Sequence, residues 1–185
     1  MNYYASVLSK IPNINHDTIL SLISFKLILS GVYYNALNWY NNDIASILLP
    51  HANLSSQNIS KILNSLGAPV TPFLFIRDHL NYLKDVFNTD SFSLDIDSTA
   101  IDNEISLCYS RTYYHGTERH HGFRIIAAVH IPTGLPIYYE IIHGNVIDQC
   151  TLDHTVEMLK NLGCKITHIS GDAGFGNINN LERLI

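Results

Sequence analysis

Two aspartates stand at the ends of short apolar runs: Asp97 in S-F-S-L-D-I-D and Asp172 in K-I-T-H-I-S-G-D. Hard divalent cations such as Mg²⁺ take oxygen ligands and keep several waters, so one or two carboxylates plus substrate phosphates commonly hold them. Two such ions about 4 Å apart can activate an attacking hydroxyl and stabilise the leaving oxygen of a phosphodiester. The same residues also suit turns, Asp97 before Ser98 and Thr99, Asp172 before A-G-F-G-N, because aspartates are common turn residues. Spacing alone leaves both readings open.

Other groups with chemical potential are less specific. His115, His120 and His121, among Arg111, Tyr113, Tyr114 and Arg119, form a locally basic, aromatic segment. It could touch DNA phosphates or bind zinc, but no cysteine or fourth histidine has finger spacing, and a solvated loop between strands is expected. Asp148 in G-N-V-I-D reads as a helix N-cap and Asp153 as a surface position. Asn145 and Asp148 also leave the third strand on the same sheet, which makes them candidates to line a metal site. Cys108, Cys150 and Cys164 are odd in number and lack C-x-x-C spacing, against a disulfide framework or a cysteine zinc site and in keeping with a reducing cytosol.

Positioning these residues falls to two contrasting regions, divided near residue 88. Before it, apolar residues recur at helical spacing. Ile19, Leu20, Leu22, Ile23, Leu27, Ile28 and Leu29 form one candidate helix. It lies in Thr18 to Tyr34, the most apolar stretch, which contains Lys26 and falls short of a membrane span of ~20 residues, so a buried helix is expected. Ile44, Ile47, Leu48 and Leu49 suggest a second helix ending at Pro50. A third carries Ile59, Ile62, Leu63 and Leu66 on one face, with Ser55 as N-cap and Gly67 as stop. A fourth is expected over 73–87. The short helices could form a DNA-reading helix-turn-helix, but Lys61 is the one basic residue of its recognition candidate, which favours a small helical domain packing on itself.

After residue 88 the period changes to two. Phe92, Leu94 and Ile96 alternate with Ser93, Asp95 and Asp97. F-R-I-I-A-A-V-H-I and L-P-I-Y-Y-E-I-I-H read as two further strands. Gly134 in the P-T-G turn between them is free to take positive φ, as an antiparallel hairpin needs. A helix from Gln149 to Leu162 stops at Gly163, K-I-T-H-I-S-G-D follows as a fourth strand, and Asn177 to Leu184 begins another helix. If the 149–162 helix returns the chain parallel to the first strand by a right-handed crossover, Asp97 and Asp172 become neighbours across 75 residues of sequence.

The composition suits a folded chain, with 46% hydrophobic and 15% charged residues. A net charge of -5, from 11 basic and 16 acidic residues, confines any phosphate-binding surface to a local patch. The first fifteen residues show no apolar core of a secretory leader.

Three segments, in order, resemble the DDE transposases of prokaryotic insertion sequences: L-D-I-D-S-T-A-I, G-L-P-I-Y-Y-E-I-I-H-G-N-V-I-D and H-I-S-G-D-A-G-F-G-N. In that family an I-D-S-T-like motif carries the first catalytic Asp and D-A-G-F/Y the second, which places them at Asp97 and Asp172. The resemblance spans residues 91–182. It implies metal-dependent DNA strand cleavage and strand transfer with Mg²⁺ or Mn²⁺ held by Asp97 and Asp172. The implied partners are the DNA of the element ends and target, with a homo-oligomer in the full-length protein, no membrane, and a cytoplasmic, nucleoid-associated place of action. The implied fold is α/β, a partial ribonuclease-H-like core over 89–185 (antiparallel strands 1–3 and a parallel fourth) after a helical region over 1–88.

The family's third acidic residue is a Glu on a helix well downstream of the second Asp. Thirteen residues follow Asp172, and Glu182, the one carboxylate among them, comes too early. The expectation is a truncated or split chain, inactive alone and with its two-metal site incomplete, or a non-catalytic remnant that binds DNA or a partner transposase. A rival resemblance joins D-I-D-S-T to haloacid-dehalogenase-like phosphatases, with Asp95 as nucleophile and Asp97 as acid/base. There the second acid of the late metal motif falls on Gly176, and both the helical region and the antiparallel hairpin fit badly.

Overall fold

A computed structural model describes residues 8, 15–105, 107–172 and 175. The chain divides between Tyr82 and Leu83 into two compact units.

In the first unit α1 runs over His16–Leu29. The Asn15 side chain caps it, its Oδ1 accepting the Thr18 N–H at 3.0 Å. The helix ends where Ser30 takes a left-handed φ of 50°. It ends at Leu29, the last apolar residue of the expected helix, but is only partly buried: Ile19, Leu22 and Phe25 face the core, whereas Leu27, Ile28 and Leu29 are exposed. A 3-10 turn (Tyr33–Asn35) leads into α2 (Ala36–Asn42) and α3 (Ala45–Leu48). The helix expected on Ile44 to Leu49 is thus a single turn that buries Ala45 and Leu49 and leaves Ile44, Ile47 and Leu48 outside. Then come α4 (Ser56–Leu66) and α5 (Val70–Phe87). Ser55 holds the N-cap position of α4, although its hydroxyl makes no capping bond. Leu22, Phe25, Ala36, Tyr40, Ala45, Leu54 and Ile59 form one core cluster. Two buried polar groups tie the 51–53 loop to α1. The Asp17 carboxylate accepts the His51 N–H at 3.1 Å, and the Thr18 hydroxyl accepts the Asn53 N–H at 2.9 Å. Among the described residues no single helix is long and apolar enough to cross a membrane.

The second unit is built on a five-stranded sheet: β1 (Ser91–Asp102), β2 (Arg111–His115), β3 (Glu118–His130), β4 (Leu135–His143) and β5 (Lys165–Gly171). β3 pairs antiparallel with β1, β2 and β4, while β5 lies parallel to β1. Gly122 pairs with Asp102 on one edge and Arg111 on the other, so β2 and β4 share the β3 edge opposite β1. The mixed α/β sheet expected from the alternation is present, with one strand more. Residues 111–121, read as a loop, form the β2–β3 hairpin, which turns at Gly116 with φ 61°. Its charged and histidine-rich composition hid the alternation.

Alternation decides the two faces of the sheet. Phe92, Leu94 and Ile96 are 0%, 0% and 1% exposed, whereas Asp95 and Asp97 between and after them are exposed. Ile126, Ala128 and Tyr138 continue the buried face through register pairs Ile96↔Ala128, Ser98↔Ile126 and Ala128↔Tyr138. A 3-10 turn (Asp148–Cys150) and α6 (Leu152–Asn161) return the chain from β4 to β5. Leu152, Val156 and Leu159 of α6 are buried, and His154 reaches Glu140, which is in register with Ile126, at 3.2 Å. α6 therefore lies over the Phe92–Leu94–Ile96 face. It starts later than the expected Gln149 because the 3-10 turn intervenes. In the β3–β4 turn Gly134 has φ 67° and donates its N–H to His130 O at 2.8 Å, as the P-T-G reading requires. The helix read from Asn177 to Leu184, with Glu182, lies outside the described residues.

Candidate active site

The parallel pairing of β1 with β5 runs through Ser93↔His168, Leu94↔Ile169, Asp95↔Ser170 and Ile96↔Gly171. Asp97 is the next residue of β1, and Asp172 the next after β5. Matched positions on neighbouring strands project to the same side of a sheet. Asp97 and Asp172 are both exposed, Asp97 on the β1 face that also carries Asp95. The Ser98 N–H donates to Asp97 Oδ1 at 2.7 Å, and the Phe175 N–H to the Asp172 carbonyl at 3.1 Å. The Phe175 side chain is buried.

The other singled-out residues are placed elsewhere. Asp148 opens the 3-10 turn after β4, and its carboxylate Oδ1 accepts from Ser98 Oγ at 2.5 Å and Arg124 Nη1 at 3.0 Å. Ser98 alternates with Asp97 and shares the Ile96 face, so Asp148 sits on the opposite side of the sheet from the Asp97 carboxylate. It is neither a helix N-cap nor a ligand beside Asp97. Asp153 lies in the first turn of α6. In the hairpin, Tyr113 donates to Asp102 Oδ1 at 2.6 Å, and His120 Nδ1 lies 3.2 Å from Asp102 Oδ2. The Tyr113 and His120 rings stack at 5.3 Å. These partners hold the Asp102 carboxyl below the usual carboxylate range, and the bond to Asp102 pushes the Tyr113 hydroxyl up. Asp102 is five residues along β1 from Asp97, about 16 Å at strand rise, so this cluster is separate from the aspartate pair.

The two aspartates, both exposed and each one residue beyond the last β1–β5 register pair, offer oxygen donors of the kind a hard divalent cation takes. Among the described residues no group of three or more His, Cys, Asp or Glu is gathered to hold a metal ion. The pair fits such an ion as a partial ligand set.

The family profile of the transposase DDE domain matches residues 93–185, half of the chain. The chain belongs to the DDE transposase family. The matched region of this DDE transposase begins in β1 and takes in both aspartates, the G-N-V-I-D segment and β5. No match is found among curated proteins or solved structures. DDE transposase domains typically depend on divalent metal, which agrees with the oxygen-only donor set. Family membership displaces the phosphatase reading of Asp95, and β1 is flanked by the antiparallel β3 that fitted that reading badly.

Sequence reasoning missed Ser98 and Arg124. The signal for Arg124 was a charged residue inside the apolar run F-R-I-I-A-A-V. Its partner Asp148 lies 24 residues on, a separation no local periodicity links.

Proposed function

We propose that Asp97 and Asp172 are the first two acidic residues of a transposase that cleaves and joins the DNA of an insertion element. The parallel β1–β5 register, whose last pair Ile96↔Gly171 immediately precedes both aspartates, supports this reading. The two aspartates would hold Mg²⁺ or Mn²⁺. Bound there, the cations would activate the attacking hydroxyl and offset charge on the leaving oxygen. The chain's own contribution is negative charge at a rigid strand end, with one oxygen of Asp97 oriented by the Ser98 N–H. Asp95, on the same face, supports the site without being its nucleophile.

Two aspartates are a weak anchor for a second cation, since Mg²⁺ gives up water reluctantly. Residues 1–185 alone are accordingly expected to leave DNA uncut, and strand cleavage to need a third carboxylate. The working protein would be a homo-oligomer acting at the nucleoid on element ends and target DNA. The test is to incubate purified 1–185 with DNA bearing the element ends and Mg²⁺ or Mn²⁺ and to look for nicks. It is then repeated with a chain that also supplies the third acid. Nicking only in the second case, lost in Asp172→Asn, supports the proposal. Nicking by 1–185 that disappears in Asp172→Asn refutes the requirement for a third acid. DNA binding with no nicking in either case favours a non-catalytic remnant.

A further inference from the structure

We infer that Asp148 is a positioning residue for Asp97, acting through Ser98 and locked in place by Arg124. The inference rests on Asp97 being a metal ligand, as proposed above. Its basis is a continuous set of short contacts that runs from the covered face of the sheet through the Ser98 backbone to Asp97. Arg124 Nη1 donates to the Val146 carbonyl at 3.2 Å and to Asp148 Oδ1 at 3.0 Å. The same oxygen accepts the Ser98 hydroxyl at 2.5 Å. Ser98 in turn donates its N–H to Asp97 Oδ1 at 2.7 Å.

Burial makes these contacts consequential. The Arg124 and Asp148 side chains are 23% and 17% exposed, and a charge pair removed from water depends on its partner far more than a surface pair does. The G-N-V-I-D segment is built to reach this place. A Cβ at Gly144 would lie 2.3 Å from the Gly122 carbonyl oxygen and 3.1 Å from that of Arg111, so the chain leaving β4 passes directly against the β2–β3 junction. From there Val146 O and Asp148 meet Arg124, whose register partner on β1 is Ala100, two residues beyond Ser98. The result is a clamp from the far end of β4 onto the β1 residue that follows Asp97. Catalytic carboxylates tolerate displacements of only ~0.5 Å, and groups that orient a metal ligand typically contribute 10–100-fold in affinity. Ser98 and Asp148 stand in that relation to Asp97, on the opposite face from the ion.

The test uses purified 1–185, amide hydrogen exchange, and Mn²⁺ titration followed by paramagnetic broadening of the Asp97 and Gly171 amides. Ser98→Ala keeps the Arg124–Asp148 pair but cuts the link to β1. It should speed exchange of the residue-98 amide at least ~5-fold and weaken Mn²⁺ binding roughly tenfold. Ser98→Thr should restore both. Asp148→Asn removes the charge that pairs with Arg124 and should also speed residue-98 exchange and weaken Mn²⁺ binding, which covers the case in which Ser98→Ala fails to fold. Wild-type exchange and wild-type Mn²⁺ affinity in Ser98→Ala would overturn the inference. So would wild-type exchange and wild-type Mn²⁺ affinity in Asp148→Asn. Asp97→Asn tests the underlying reading separately: unchanged Mn²⁺ broadening there would sink the metal-ligand role, while exchange at residue 98 would still decide whether the clamp holds.

Discussion

Asp97 and Asp172 each lie one residue beyond Ile96↔Gly171, the last register pair joining parallel β1 and β5. Two aspartates 75 residues apart in the chain thereby follow the ends of one parallel strand pairing. In a chain that also supplies the third carboxylate, Asp97→Asn and Asp172→Asn are each expected to lower DNA nicking at least ~10³-fold, the scale on which members of a catalytic unit act. Asp95→Asn should keep most of the activity. A gel assay on end-labelled DNA reads both. Equal, complete loss in Asp95→Asn with a trapped phospho-aspartate would return the phosphatase chemistry.

Gly144→Ala is expected to destabilise the second unit by about 3 kcal/mol or more, because its Cβ would meet rigid backbone rather than a yielding side chain. Urea denaturation is the measurement. An unchanged midpoint would mean that the close passage at Gly122 is not maintained in solution.

Stability should fall in mild acid through His130. Its ring is buried against Phe92 at 5.3 Å and Phe87 at 5.6 Å, with Nδ1 2.9 Å from the Thr133 hydroxyl. Burial holds its pKa below the ordinary histidine value. The unfolded chain takes up a proton near pH ~6.5 that the folded chain resists, so stability is full above that value and declines as pH drops toward the lowered folded pKa. Urea midpoints at pH 5 and 7.5 should differ less in His130→Gln than in the wild type. An identical difference would remove His130 from the account.

The three cysteines should divide two to one. Cys108 and Cys150 are exposed, whereas Cys164 is buried and its thiol is pushed up to about 11 by that burial. Thiolate is the reactive form, so alkylation of the native protein should be fast at two sites. Cys164 should react only on unfolding. Mass spectrometry of timed iodoacetamide labelling checks this, and rapid native labelling of Cys164 would contradict the packing described.

Local order was legible wherever side-chain period alone decides it. The alternation of Phe92, Leu94 and Ile96 with Asp95 and Asp97 assigned two faces of β1 before any partner was known, and burial follows it residue by residue. Gly134 announced its hairpin because a tight turn needs positive φ. The motifs around Asp97 and Asp172 announced the family. Two features were not legible: the β2–β3 hairpin and the contacts of Asp148. Each depends on pairing with sequence-distant residues. His120 is a strand residue because Tyr113 lies opposite it and Asp102 holds both. Asp148 looked like a helix cap because local chemistry permits that role. Tertiary structure gave it Arg124 and Ser98 instead, since an ion pair with a serine hydroxyl satisfies a half-buried carboxylate better than the first turn of a short helix can.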